Sequence, residues 1–176
     1  MNGSGRRILL GVTGSVAAYK AAELARLFVG NGDDVRVVMT PAACEFVRPL
    51  LFQTISRNPV AVDMFAPPDE WRPEHIALAD ADFAVVAPAT ANTLAKMRYG
   101  IADNLLTATL LATRAKVVVA PAMNDGMWEN AATQENVAAL KARGVVFAGP
   151  GDGALACGTA GRGRMAEPEE IFGAVV

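Results

Sequence analysis

The feature that most constrains the fold is a series of short apolar runs, each closed by glycine, threonine or proline and followed by a segment of helical spacing. "RRILLGV" (Arg6–Val12), "DVRVVMT" (Asp34–Thr40), "FAVVAP" (Phe83–Pro88) and "KVVVAP" (Lys116–Pro121) read as buried strands. After the first of them, Ala17, Ala21, Leu24, Ala25 and Phe28 recur at helical spacing, and Gly30-Asn31-Gly32 stops the segment. Further helices are expected over "PLLFQTISR" (Pro49–Arg57, with proline in the first turn), "TANTLAKMRYG", "DNLLTATLLAT", "ENAATQENVAALKARG" and the terminal "EPEEIFGAVV". "PVAVDMF" and "VVFAG" add short strands, and "APPDEWRPEH" (Ala66–His75) is expected to be an exposed loop. Strands that alternate with helices pair in parallel through crossovers. Strands that are apolar throughout need cover on both faces. The fold class is therefore α/β, a single domain over residues 1–176 with a doubly wound, mainly parallel sheet.

Composition narrows the function. Apolar residues make up 52% of the 176, enough for a large core without a disulfide or a metal. The formal charge of −2 gives no polyanion-binding surface, so no nucleic acid and no anionic membrane is expected as partner. No apolar run reaches the length of a membrane span, and no secretory signal opens the chain. A cytoplasmic location with reduced thiols follows. Cys44 and Cys157 form no CxxC pair and have no neighbouring histidine, so no metal site is expected.

In open parallel sheets, ligands bind beyond the carboxyl ends of the strands, and polar residues gather at these ends here. In "GVTGSVAAYK", Gly14 and Ser15 precede a helix whose amides and dipole would attract an anion; a capped tight turn accounts for them equally well. In "APATANTLAK", Thr90, Asn92 and Thr93 crowd a helix start where one cap would suffice. Two such starts favour a phosphate ligand. A dinucleotide fold usually ends its second strand with Asp or Glu for the ribose, whereas this strand ends in Thr40, compatible with a mononucleotide such as FMN. In "APAMNDGMW", Asn124 could donate to a carboxylate or simply cap the next helix. The sole histidine, His75, sits between a loop and a helix and is the one side chain that ordinarily titrates near neutrality.

Taken together, "GVTGSVAAYKA", "HIALADAD", "APATANTLAKMRYGIADNLLT", "PAMNDGMW" and "LACGTAGRGRMAEP" resemble, in this order and over nearly the whole chain, the flavin-dependent cysteine decarboxylases. The family pattern PxMNxxMW is met by Pro121, Met123, Asn124, Met127 and Trp128. The resemblance implies a flavodoxin/Rossmann-like flavoprotein that assembles as a homotrimer or homododecamer, with sites at subunit interfaces. It implies that Gly14, Ser15, Val16, Thr40, Thr90, Ala91, Asn92, Thr93 and Ala122 surround FMN. It also implies His75 as the catalytic base, Asn124 and Met127 at the substrate, and Cys157 as an acid in a mobile covering loop.

The implied activity is decarboxylation of a cysteinyl substrate after oxidation of its thiol to a thioaldehyde. Within the family the sequence resembles most the decarboxylases that convert 4'-phosphopantothenoylcysteine to 4'-phosphopantetheine in coenzyme A biosynthesis. The alternative is decarboxylation of a peptide's C-terminal cysteine, which can stop at the enethiol and needs no proton donor such as Cys157. Relatives commonly carry a fused synthetase domain; with Val176 as its last residue, this sequence is expected to lack one. A prenyl-transferring flavin enzyme would be expected to lack "PAMNDGMW", and a phosphatase-regulating relative would carry acidic tails. A simple electron carrier would not need His75, Asn124 and Cys157 together. The stretch "GALACGTAGRGRMAE" has the periodicity of neither helix nor strand, and is expected to be a glycine-rich loop whose freedom serves a moving lid.

Overall fold

In the computed structural model, which describes residues 5–66, 73–154, 158 and 160–175, the first strand shows why the sheet is covered twice. Strand β1 (Arg7–Val12) sends Ile8, Leu10 and Val12 into one core and Leu9 into another, all essentially inaccessible. Helix α1 (Ala18–Gly30) buries Leu24 and Phe28 in the first core, and burial of such a side chain is worth about 2–3 kcal/mol. Strand β2 (Asp34–Met39) follows, then two short helices, α2 (Pro41–Cys44) and α3 (Pro49–Ser56), and strand β3 (Val60–Ala61). Helix α4 (Glu74–Ala79) leads to β4 (Phe83–Ala89), α5 (Ala91–Tyr99) and α6 (Leu105–Ala112). Strand β5 (Lys116–Pro121), α7 (Asp125–Glu129), α8 (Ala131–Ala142) and β6 (Val146–Phe147) complete the main sheet. The chain then forms β7 (Gly151–Ala154), β8 (Ala160–Arg164) and α9 (Pro168–Gly173).

The main sheet has six strands in the order β3-β2-β1-β4-β5-β6, all pairs parallel. The direction of winding reverses between β1 and β4, where such sheets open a crevice for ligands. α1 and α9 pack together on one face, with the Phe28 and Phe172 ring centroids 5.3 Å apart. α5, α6 and α8 cover the other face with Leu94, Leu105, Leu106 and Leu140.

The expected strands and helices are present, most within a residue or two, with the edge strand β3 and the last helix shorter than expected, and three differences have physical causes. The helix expected through "ENAATQENVAALKARG" is α8, and a short further helix, α7, precedes it; Asn130 between them takes an extended conformation and caps α8 through its side chain. α2 was not anticipated; it is nucleated by Thr40, whose hydroxyl accepts the Ala43 amide, with proline in the first turn. The glycine-rich stretch is not simply a loop. β7 and β8 pair antiparallel, Gly151 with Arg164 and Ala154 with Ala160, as a separate two-stranded sheet. It lacks apolar alternation because it stands outside both cores. Cys157 and most of "APPDEW" lie outside the described residues.

The termini are fastened at the amino edge of the sheet. The Arg6 guanidinium donates to both carboxylate oxygens of Asp33, at 3.0 and 2.8 Å, and to the Val175 carbonyl at 3.0 Å. Burial alone would raise the Asp33 carboxyl, but hydrogen bonds from Arg6 and Asn31 outweigh it and hold it below the usual carboxylate range. Among the described residues, no helix is long and apolar enough to cross a membrane and no cluster could hold a metal ion.

Candidate active site

The carboxyl ends of four strands are stitched side by side by hydrogen bonds that run across the sheet. The Thr40 amide donates to the Val12 carbonyl at 3.0 Å, joining the ends of β2 and β1. Thr13 spans the reversal point: its hydroxyl donates to the Pro88 carbonyl at 2.7 Å and accepts the Thr90 amide at 3.2 Å. The Ala122 amide donates to the Ala89 carbonyl at 3.1 Å, joining β4 to β5. Gly14, Ser15, Thr40, Thr90 and Ala122 therefore lie on one edge, each fixed relative to the next. Thr13 is 1% exposed and was not singled out from the sequence, where it reads as an ordinary turn residue beside Gly14.

Around that edge each residue has a definite local job. Gly14 and Ser15 precede α1 by a full turn rather than opening it; the Ser15 hydroxyl accepts the Ala17 amide, and no side chain caps the helix. Gly14 is glycine because α2 crosses it closely: a Cβ there would stand 2.6 Å from the Ala42 Cβ and 3.1 Å from its carbonyl carbon. Val16 is exposed. Thr90 caps α5, accepting the Thr93 amide at 3.3 Å, and the two hydroxyls are 3.1 Å apart. Thr93 is buried, Asn92 exposed and Ala91 partly covered. Thr90 alone supplies the cap, so Asn92 is not needed for it.

Fit to a flavin mononucleotide rests on this donor set. Ser15, Thr40, Thr90, Asn92 and Thr93 offer hydroxyls and an amide, with no carboxylate among them to repel a phosphate. α1 carries no acidic residue in its first turn, so its dipole is not neutralised from within. Ala91 and Ala122 are small enough to leave room for a flat ring. The residues present suit the group.

Asn124 stands at the fourth strand end, after β5. Its side-chain oxygen accepts the Gly126 amide at 2.9 Å, so it does cap α7, as one of its two readings held. That cap engages the oxygen; the amide nitrogen is the donor end of the side chain. Met127, exposed on α7, lies one helical turn away.

His75 belongs to none of these strand ends. It lies in α4, whose far end is held at the amino edge of the sheet. There Arg7 donates to Asp80 at 2.7 Å, and the Thr113 hydroxyl donates to the Ala79 carbonyl. Cys44 is no substitute nucleophile: burial, reinforced by Glu45, pushes its thiol up.

Comparison with known proteins accords with this geometry. The whole chain, residues 1–176, matches the family described as Flavoprotein. It is 47% identical over 173 residues to the coenzyme A biosynthesis bifunctional protein CoaBC of Haemophilus influenzae, covering 98% of this chain and 43% of that protein. It is 45% identical over 172 residues to the CoaBC protein of Escherichia coli K12, covering 97% of this chain and 42% of the relative. The chain thus spans less than half the length of the curated relatives it matches. Among solved structures it resembles a PPC decarboxylase mutant complexed with pantothenoylaminoethenethiol, with a TM-score of 0.87, 35% identity and 97% and 96% of the two chains covered. It also resembles the FMN-dependent cysteine decarboxylase SpaF, with a TM-score of 0.81, 31% identity and 97% and 98% covered. A chain matched from end to end, with its polar strand ends stitched into one neutral ligand edge, belongs to the Flavoprotein family.

Proposed function

We propose that this chain is a cytoplasmic FMN-dependent cysteine decarboxylase that converts 4'-phosphopantothenoylcysteine to 4'-phosphopantetheine. The observation that carries the reading is the hydroxyl-rich edge joined across four parallel strands, with Asn124 at its end. Gly14, Ser15, Val16, Thr40, Thr90, Ala91, Asn92, Thr93 and Ala122 hold the FMN. Bound there, FMN would supply the hydride acceptor that lets the thiol-bearing carbon become a thioaldehyde, the electron sink that carboxylate loss requires, and would return that hydride to the same carbon to give the saturated thiol. Asn124 holds the carboxylate through its amide nitrogen, with Met127 against the substrate. Cys157 gives a proton to the carbon that has lost carbon dioxide. The CoaBC relatives favour this substrate, and residues 1–176 act as one decarboxylase domain.

His75 takes the proton of the substrate, and it reaches the site from a neighbouring copy. A homotrimer, or a homododecamer of trimers, with its sites at subunit interfaces would bring the two residues together from different chains. Ile76 beside His75 and Met127 beside Asn124 are both exposed apolar residues, as an interface that joins the two halves would require. The test is co-assembly of His75→Asn and Asn124→Ala chains, each inactive alone. Random mixing in a closed ring restores about one quarter of the sites and of carbon dioxide release. No recovery in verified mixed oligomers would place both residues in one chain's site.

A second reading takes a peptide's C-terminal cysteine as substrate. The likeness to SpaF, as full in coverage as that to the PPC decarboxylase, supports it.

A further inference from the structure

We propose that Gly161 and Gly163 of β8 are positioning residues for Asn124, and through it for the carboxylate end of the substrate; this rests on the role given to Asn124 above. The glycines of this stretch suggest mobility when read from sequence. The structure gives these two a different reason to be glycine. β8 packs against α7 and the residues that lead into it. A Cβ at Gly163 would fall on the Met123 carbonyl oxygen, the last backbone group before Asn124. A Cβ at Gly161 would stand 2.8 Å from a carboxylate oxygen and 2.9 Å from the Cβ of Asp125, the residue after Asn124. Contacts this short are met only if the strand or the Asn124 segment moves.

Hydrogen bonds show what would move. The Met123 amide donates to the Gly163 carbonyl at 3.0 Å. One residue earlier, the Ala122 amide is held by Ala89 of the sheet; two residues later, Gly126 donates to the Asn124 side chain. Asn124 thus hangs between a fixed sheet edge and β8. The other side of β8 is itself anchored. Lys20 of α1, only 9% exposed, donates to both carboxylate oxygens of Glu167 at 3.0 and 2.9 Å, and Arg164 donates to the same carboxylate at 2.6 Å. Glu167 is held below the usual carboxylate range mainly by the Lys20 hydrogen bond, so this anchor persists through the neutral range. Since this anchor fastens the end of β8, a side chain at Gly161 or Gly163 displaces Asn124 instead.

The experiment uses the flavin-loaded protein with Gly161→Ala and Gly163→Ala substitutions. The expected result is an unchanged flavin spectrum and stoichiometry, and a KM for 4'-phosphopantothenoylcysteine raised about tenfold or more, as for loss of a hydrogen bond to a charged group. Binding of 4'-phosphopantetheine, which lacks the carboxylate, stays at the wild-type value. In an Asn124→Ala background, read by equilibrium binding of the substrate, the Gly161→Ala change causes no further loss of affinity, because the two act through one contact. The contact at Gly161 is to a side chain and is milder, so Gly161→Ala carries the test should Gly163→Ala fail to fold. A wild-type KM in Gly161→Ala, or an equal loss of affinity for substrate and product, would overturn the proposal. Failure of the wild type to bind 4'-phosphopantothenoylcysteine at all would instead overturn the substrate assignment.

Discussion

Thr13 is the pin between the two loops that flank the reversal point, and removing its hydroxyl should be costly out of proportion to its size. Valine in its place keeps the shape but neither hydrogen bond. The Pro88 carbonyl, in a fully buried residue, loses its 2.7 Å donor, and the half-buried Thr90 amide loses its 3.2 Å acceptor. Each buried polar group left unpaired costs about 1–3 kcal/mol. With Thr90 at the low end, Thr13→Val should cost about 3 kcal/mol, or roughly 6–12 °C in Tm for a chain of this length. Thr13→Ser keeps both bonds and loses one methyl group, about 1 kcal/mol. Urea unfolding at fixed protein and flavin concentrations separates the two, since bound ligand shifts apparent stability. The m value should not change. Weaker flavin binding should accompany the valine variant, because Ser15 and Thr90 lose their common reference. A valine variant within 0.5 kcal/mol of wild type (about the scatter of a surface substitution), or a serine variant as unstable as the valine one, would refute the reasoning.

Other consequences follow from the same coordinates. Arg6→Met leaves the Asp33 carboxylate buried with fewer donors, and should cost about 3 kcal/mol at neutral pH. In the wild type this carboxyl is depressed, so its stabilisation is present above the unfolded value near 4 and lost as pH falls through the folded one. In the variant burial raises it, so the stability gap to wild type should narrow on acidification; a constant gap from pH 7 to 4 would contradict the assignment. His75→Asn should lower turnover by about 10²–10⁴-fold while the protein stays yellow, read by carbon dioxide release and the flavin spectrum. Cys157→Ser should allow oxidation and decarboxylation yet accumulate an oxidised enethiol, detectable by mass; normal formation of the saturated product would make Cys157 a bystander.

The framework was legible because each strand is short, apolar and followed by a punctuated helix. Ile8, Leu9, Leu10 and Val12 announce a strand buried on both faces, and the structure sends them to opposite cores. Asn124 and Thr90 were legible as residues at strand ends that cap the following helices. Thr13 was missed because its role depends on β4, some 75 residues away, a partner no local pattern reveals. The hairpin of β7 and β8 was missed for a related reason: its glycines are set by contact with Met123 and Asp125, not by the strand itself.

The most direct measurement is the mass of the products when the flavin-loaded protein is given 4'-phosphopantothenoylcysteine and, separately, a peptide ending in cysteine. The account predicts loss of carbon dioxide alone from the first substrate, giving the saturated thiol, and little turnover of the second. Carbon dioxide loss accompanied by loss of a further pair of hydrogens, or turnover of the peptide alone, would contradict it.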